Sequence, residues 1–302
     1  MLPIVFAPLL RGAEQKIRLG GPIFLKSDDP VELAREHRRL GYGAAYCPTA
    51  KAGDHQRIEA IRRAFAAENV VIAEVGAFGY SKDGAFHGAN LLDPDPQRRR
   101  DALAFVEERL ALADEVGARN CVDIAGSYNP RQWDGPDPRN LSKEFFDATV
   151  ENCRRIVDAV KPKRAKFTIE MMGWSLPDSP ESYARLLKAV DRGGFGAHVD
   201  ICNIVMTPQL YYGNAALIET TFHALGQWVA SCHAKDLAPV RGHFAETIPG
   251  RGGIDYRAYL TNIRRFAPEA PLMLEHLRTP EEYEEGKQYI LRTGRDAGVE
   301  FV

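Results

Sequence analysis

One unit recurs along this chain, and the recurrence decides what it can fold into. A short apolar run is followed by a polar loop, a capped amphipathic segment, a glycine or proline stop, and another apolar run. Asp29-Pro30-Val31-Glu32 reads as an N-cap, a first-turn proline and a first-turn carboxylate. Leu33, His37 and Leu40 follow at helical spacing, Gly41 stops the helix, and residues 44–47 read as a strand. The same logic predicts helices over 55–68, from Asp93-Pro94 to Gly117, over 142–160, from Ser179-Pro180, over 214–225, from Asp255 to Arg265, and from Thr279-Pro280 onward. Strands are expected at 17–24, 44–47, 70–75, 120–125, 166–170, 196–200, 228–233 and 272–275.

Strict strand-helix alternation implies a parallel sheet with right-handed crossovers. Eight units without a breaking linker favour closure into a (β/α)8 TIM barrel, read here as one domain over 1–302 with 1–16 as an N-terminal extension. The alternative, an open doubly wound sheet, usually places a glycine-rich turn after its first strand. Gly20-Gly21-Pro22 does not supply one, so no dinucleotide site is expected. A formal net charge of -2 argues against nucleic acid as a partner. No apolar stretch approaches the ~20 residues of a membrane span. The first ten residues lack a leading Lys or Arg and are broken by Pro3 and Pro8, so a signal peptide is not expected. Five scattered cysteines without CxxC spacing read as reduced thiols of a cytoplasmic protein.

Barrel enzymes draw their chemistry from the C-terminal ends of strands. Here four consecutive strands end in metal-ligand types: Glu170 on strand 5, Asp200 on strand 6, His233 on strand 7 and Glu275 on strand 8. Their spacings are 30, 33 and 42 residues, each about one strand-helix unit, so each strand offers one ligand at the same level of the mouth. A lone Glu at a strand end reads as a surface charge or salt bridge. Four neighbouring ones read as a mononuclear divalent-metal site, because a carboxylate there is costly unless paired or bound to a cation. The oxygen-rich set suits Mn²⁺ first, with Mg²⁺, Co²⁺ or Zn²⁺ as alternatives.

The segments Thr168-Ile169-Glu170-Met171-Met172, His198-Val199-Asp200-Ile201-Cys202-Asn203, Ser231-Cys232-His233-Ala234-Lys235-Asp236, Gly250-Arg251-Gly252-Gly253 and Leu274-Glu275-His276 carry a resemblance. From about residue 18 onward the chain resembles the xylose-isomerase-like sugar isomerases and epimerases. That superfamily also holds ketose 3-epimerases, inosose isomerases and dehydratases, and AP endonucleases. The resemblance implies that Glu170, Asp200, His233 and Glu275 bind one divalent ion and that Glu170 and Glu275 form the acid/base pair. It implies a small sugar or polyol as substrate and leaves homo-oligomerisation open. Those epimerases often carry His three residues after the strand-6 Asp, where this chain has Asn203; an amide hydrogen-bonds substrate but cannot shuttle protons at neutral pH.

Further positions carry paired readings. Lys235 shares the parity of His233 and is either a donor to a substrate oxygen or a salt-bridge partner of a loop carboxylate. Asp236 either orients His233 or begins a loop. His276 should face away from Glu275 and support the site by packing. Glu74 is a candidate for a substrate hydroxyl, Trp174 for stacking on a sugar face, and Arg251 for covering the site or meeting an anionic group. His198 is expected in the barrel core. The expected reaction is isomerisation or epimerisation by proton abstraction beside a metal-bound carbonyl, and the alternative is a lyase on the same enolate chemistry, either a keto-polyol dehydratase or a C-glycoside deglycosylase. A nuclease is disfavoured, since the ends of strands 3 and 4 offer no His.

Overall fold

The computed structural model describes residues 16–80 and 86–302, so all of the expected extension except Lys16 lies outside the described residues. The order of main elements is β1 (Leu19–Gly21), α1 (Pro30–Arg39), β2 (Ala44–Tyr46), α2 (His55–Ala67), β3 (Val71–Gly76), α3 (Pro96–Val116), β4 (Asn120–Asp123) and α4 (Lys143–Val160). It continues with β5 (Lys166–Glu170), α5 (Pro180–Val190), β6 (Phe195–Val199), α6 (Asn214–Leu225), β7 (Val229–Ala234), α7 (Tyr256–Phe266), β8 (Leu272–Leu274) and α8 (Pro280–Asp296). The strands close into a barrel in the order β1-β8-β7-β6-β5-β4-β3-β2. Every pairing in it is parallel. The closed (β/α)8 barrel is therefore the architecture.

The helices start where side-chain acceptors satisfy their free N–H groups. Asp29, Ser179, Asp255 and Thr279 cap as the sequence predicts, and Ser142 caps the helix expected over 142–160. The expected start at Asp93-Pro94 is corrected by one Asp-Pro pair. Asp95 accepts from Gln97 N and Arg98 N at 2.8 and 2.9 Å, and Pro96 takes the first helical position. Asp93 accepts from Asp95 N at 2.8 Å and pairs with Arg98, bracing the turn before the helix.

Register sets which side chains enter the barrel, because paired residues of parallel strands share a face. Glu170 pairs with His198, His198 with Ser231, and His233 with Met273. Two residues further along each strand, the same inward face carries Asp200 after His198, His233 after Ser231 and Glu275 after Met273. Glu74 reaches the interior by a different route. The β2–β3 register shifts between Ala45 and Tyr46, after which Glu74 stands opposite Tyr46 and Asn120. The floor of the barrel is a small cluster of Ala44, Ala73 and Met273. A Cβ at Gly20 would lie 2.4 Å from the Met273 sulfur, so glycine there makes room for the one large side chain of the floor. The main core lies between the barrel and the helices.

Further short elements interrupt the simple alternation. Phe78–Tyr80 and Phe86–Gly88 pair as an antiparallel ribbon after β3. Two short helices, Ile201–Ile204 and Pro208–Tyr212, follow β6. Asp236–Val240 and His243–Thr247 form a hairpin after β7. Its two-residue turn has Arg241 at φ 48° and Gly242 at φ 83°, the left-handed pair that matches strand twist. Among the described residues, no helix is long and apolar enough to cross a membrane.

Candidate metal centre

The four strand-end residues singled out by spacing converge in space. Glu170, Asp200, His233 and Glu275 each offer an atom within 4.8 Å of the others. His233 Nδ1 lies 3.1 Å from Glu170 Oε1, 3.0 Å from Glu275 Oε1 and 3.6 Å from Asp200 Oδ2. A polyhedron with metal–ligand bonds of about 2.1 Å has edges near 3 Å, so these spacings are those of ligands around one ion. Asp200 is anchored by its other oxygen, which accepts from Asn203 N at 3.1 Å and caps the short helix after β6. Its Oδ2 is buried and faces the Lys235 ammonium at 2.9 Å and His233 Nδ1 at 3.6 Å. Three carboxylates and one imidazole gathered this closely are a donor set that fits a divalent cation.

Beneath the cluster lies a relay that fixes the histidine. Glu74 accepts from His233 Nε2 at 3.2 Å and from His198 Nε2 at 3.1 Å, and its side chain is fully buried. A carboxylate can only accept, so Nε2 of His233 carries a hydrogen toward Glu74; Nδ1, which faces the three other carboxylates, holds one as well until an ion takes its place, and would then be the ligand atom. This corrects the expectation that Glu74 meets a substrate hydroxyl, since both of its oxygens are taken below the mouth. His198 is the barrel-core histidine the sequence suggests.

The charge balance is lopsided. Burial pushes the Asp200 carboxyl up, but Lys235 and His233 outweigh it and hold it well below the usual carboxylate range. Burial opposes ionisation of Glu275 as well, and His233 with Lys235 draws it down to about 2. The His233 ring, which burial should lower, is raised well above an ordinary histidine by Glu275, Glu170 and Glu74. Acidic groups crowd the pocket, and the balance calls for further positive charge.

Lys235 follows its parity into the mouth and takes the salt-bridge reading, with Nζ at 2.6 Å from Glu275, 2.9 Å from Asp200 and 3.1 Å from Glu246. Asn203 Nδ2 donates to Glu170 Oε1 at 3.0 Å, holding the carboxylate from the loop side.

No curated protein matches the sequence at a significant level. A family model for the xylose isomerase-like TIM barrel matches residues 32–293. The chain belongs to that family. Solved structures share its fold at low identity. One is a xylose isomerase domain protein from Planctomyces limnophilus, with 18% identity and TM-score 0.66 over 95% of this chain and 99% of that one. Another, a xylose isomerase-like TIM barrel protein from Mycobacterium smegmatis in complex with magnesium, has 16% identity and TM-score 0.65 over 95% and 99%. A D-psicose 3-epimerase with D-tagatose from Clostridium cellulolyticum H10 has 14% identity and TM-score 0.68 over 94% and 100%.

In this xylose isomerase-like barrel the remaining expectations are sorted by position. Asp236 does not reach His233. Its carboxylate accepts from the backbone N–H of Leu237, Gly250, Gly252 and Ile254 at 2.8 to 3.2 Å, knotting the glycine-rich loop onto β7. A Cβ at Gly252 would sit 2.2 Å from Asp236 Oδ1, which is why that loop is glycine-rich. Arg251 points away from the cluster and pairs with Glu285 through two 2.6 Å bonds. His276 does not pack inside. It is exposed, in a left-handed conformation at φ 57°, with Nδ1 2.9 Å from Glu246 Oε2. Trp174 is 56% exposed at the rim. Sequence reasoning missed Glu246, which joins Lys235 to His276. The signal was there: Arg241-Gly242 is a hairpin turn pair, and it brings Glu246 back beside the strand ends.

Proposed function

We propose that this chain is a divalent-metal-dependent isomerase or epimerase acting on a keto or aldo sugar. In this reading Glu170, Asp200, His233 and Glu275 hold one ion, with Mn²⁺ assigned first and Mg²⁺, Co²⁺ or Zn²⁺ as ions the same donors accept. The observation that carries it is the placement of two carboxylates, from the outer two of four adjacent strands, at 3.1 and 3.0 Å from one imidazole nitrogen. An ion bound there would stabilise the negative charge that develops on a substrate carbonyl oxygen and its neighbouring hydroxyl.

The protein's own groups supply the proton transfers. Glu170 and Glu275 face the reacting carbon from opposite sides, one removing its proton and the other returning a proton to the opposite face. Lys235, at 2.6 Å, keeps Glu275 ionised and so able to accept. Asn203 holds Glu170 by a hydrogen bond but carries no proton itself. In this reading Asn203, on the short helix after β6, orients the substrate.

Stripped with chelator and reloaded with Mn²⁺, the protein is expected to interconvert members of a panel of ketoses and keto sugars only in the loaded form, read by chromatography of the products. Duplex DNA with an abasic site should stay intact above a metal-only control. Metal-dependent strand scission lost in Glu170→Gln would replace the sugar reading with a nuclease.

A further inference from the structure

Beside the carboxylate cluster lies a cavity of about 580 Å³, within the range of small-molecule sites. None of the four clustered residues lines it, yet Asn203 and Glu246 do, and these two touch Glu170 and Lys235 respectively. The cavity thus adjoins the cluster, close enough for a substituent of a molecule reacting there to reach it.

Its walls are flat and apolar. Trp174, Met172, Met206, Tyr212, Pro239 and Phe244 contribute, with Trp174, Met206 and Tyr212 leaving 56%, 42% and 81% of their surfaces exposed. Exposed large apolar side chains gathered in one concavity mark a binding surface rather than a chance of composition. The walls are also pre-formed. Phe244 stacks on Tyr211 at 4.9 Å between ring centroids, and Tyr211 Oη donates to Leu237 O at 3.1 Å. On the facing wall the Trp174 carbonyl accepts from Asn140 Nδ2, and Gly173 N donates to Asn203 O at 3.1 Å. A Cβ at Gly173 would lie 2.7 Å from Met206, so glycine lets the loop after β5 close against the short helix after β6.

The chemistry of the lining selects its occupant. It includes no Lys or Arg, and its one imidazole, His243, is exposed at the hairpin turn, so a phosphate would meet no buried fixed cation. Both oxygens of Glu246 are engaged, by Lys235 and His276. Aromatic faces and thioethers remain, and these favour a flat aromatic ring.

We infer that this cavity seats an aromatic substituent carried by the sugar, so that the substrate is an aryl-substituted, unphosphorylated sugar derivative rather than a free monosaccharide. The inference deepens the reading of the same site as a sugar isomerase and rests on it for the sugar half alone. Titration calorimetry on the Mn²⁺-loaded protein tests it with phenyl β-D-glucopyranoside against methyl β-D-glucopyranoside. The phenyl compound should bind about tenfold more tightly or better. Trp174→Ala and Phe244→Ala should each erode that preference, and the double variant should abolish it, with metal content and affinity for the methyl compound unchanged. Equal affinities, binding of neither compound, or a phenyl preference that survives the double variant would overturn it. So would a halving of the solution mass in Trp174→Ala, which would make the patch a contact between two copies. A phenyl preference in a protein that converts no ketose would uphold the aryl site and remove the isomerase reading, whereas turnover of free ketoses without the preference would do the reverse.

Discussion

His233→Ala is expected to lower bound divalent metal from about one ion per chain to a small fraction of that, measured by elemental analysis after gel filtration. The loss exceeds that of one ligand among four because three carboxylates converge on Nδ1 of this ring. Without it, Glu170, Asp200 and Glu275 face one another with only Lys235 between them. Glu74→Ala should act through the ring rather than on the ion. It frees Nε2 and the orientation of the imidazole, and affinity should fall about 10- to 100-fold with the four ligands intact. Undiminished metal in both His233→Ala and Asp200→Ala would contradict the site.

Turnover should fall at least about 100-fold in Glu170→Gln and again in Glu275→Gln, measured as initial rates on whichever sugar the wild-type protein converts fastest. Glutamine keeps the shape of the side chain but cannot accept the proton. The two variants should differ. Glu275 lies 2.6 Å from the buried Lys235, so an amide there leaves a cation short of one partner. Glu170 is held by the neutral Asn203, and its replacement disturbs the local charge less. A Glu→Gln change with full activity at either position would remove that residue from the acid/base pair.

Much of this arrangement was legible in the chain because it follows from local rules. The caps and glycine stops delimit the units, and one unit per ligand explains why spacings of 30, 33 and 42 residues place four side chains at one level. Parity within strands then carried Lys235 and His198 to the inside. What escaped depends on contacts between distant segments. The inward turn of Glu74 needs the one-residue register shift between β2 and β3, which no pattern within β3 announces. Asp236 looked like a partner for His233, its neighbour three residues away. It serves instead three N–H groups of a loop that folds back from 14 to 18 positions further on, and one N–H of its own strand. The hairpin bearing Glu246 is mostly exposed, so it lacks the alternation of a buried strand, and its Phe244 is fixed by a ring from a short helix after β6. Two adjacent Asp-Pro pairs offered equivalent helix starts, and only the reach of Asp95 to the second and third N–H groups separates them.

The account turns on proton transfer between substrate and the two glutamates, and solvent isotope tests it most directly. The Mn²⁺-loaded protein should convert its sugar in D₂O to a product carrying deuterium at the carbon next to the carbonyl, seen by NMR or mass spectrometry, whether that product is an epimer, an isomer or an eliminated species. In a two-base mechanism, Glu170→Gln or Glu275→Gln can still exchange label on the face whose glutamate remains. Turnover that leaves no solvent deuterium in the product would contradict the proposal, because hydrogen would then pass directly between carbons and neither glutamate would handle it.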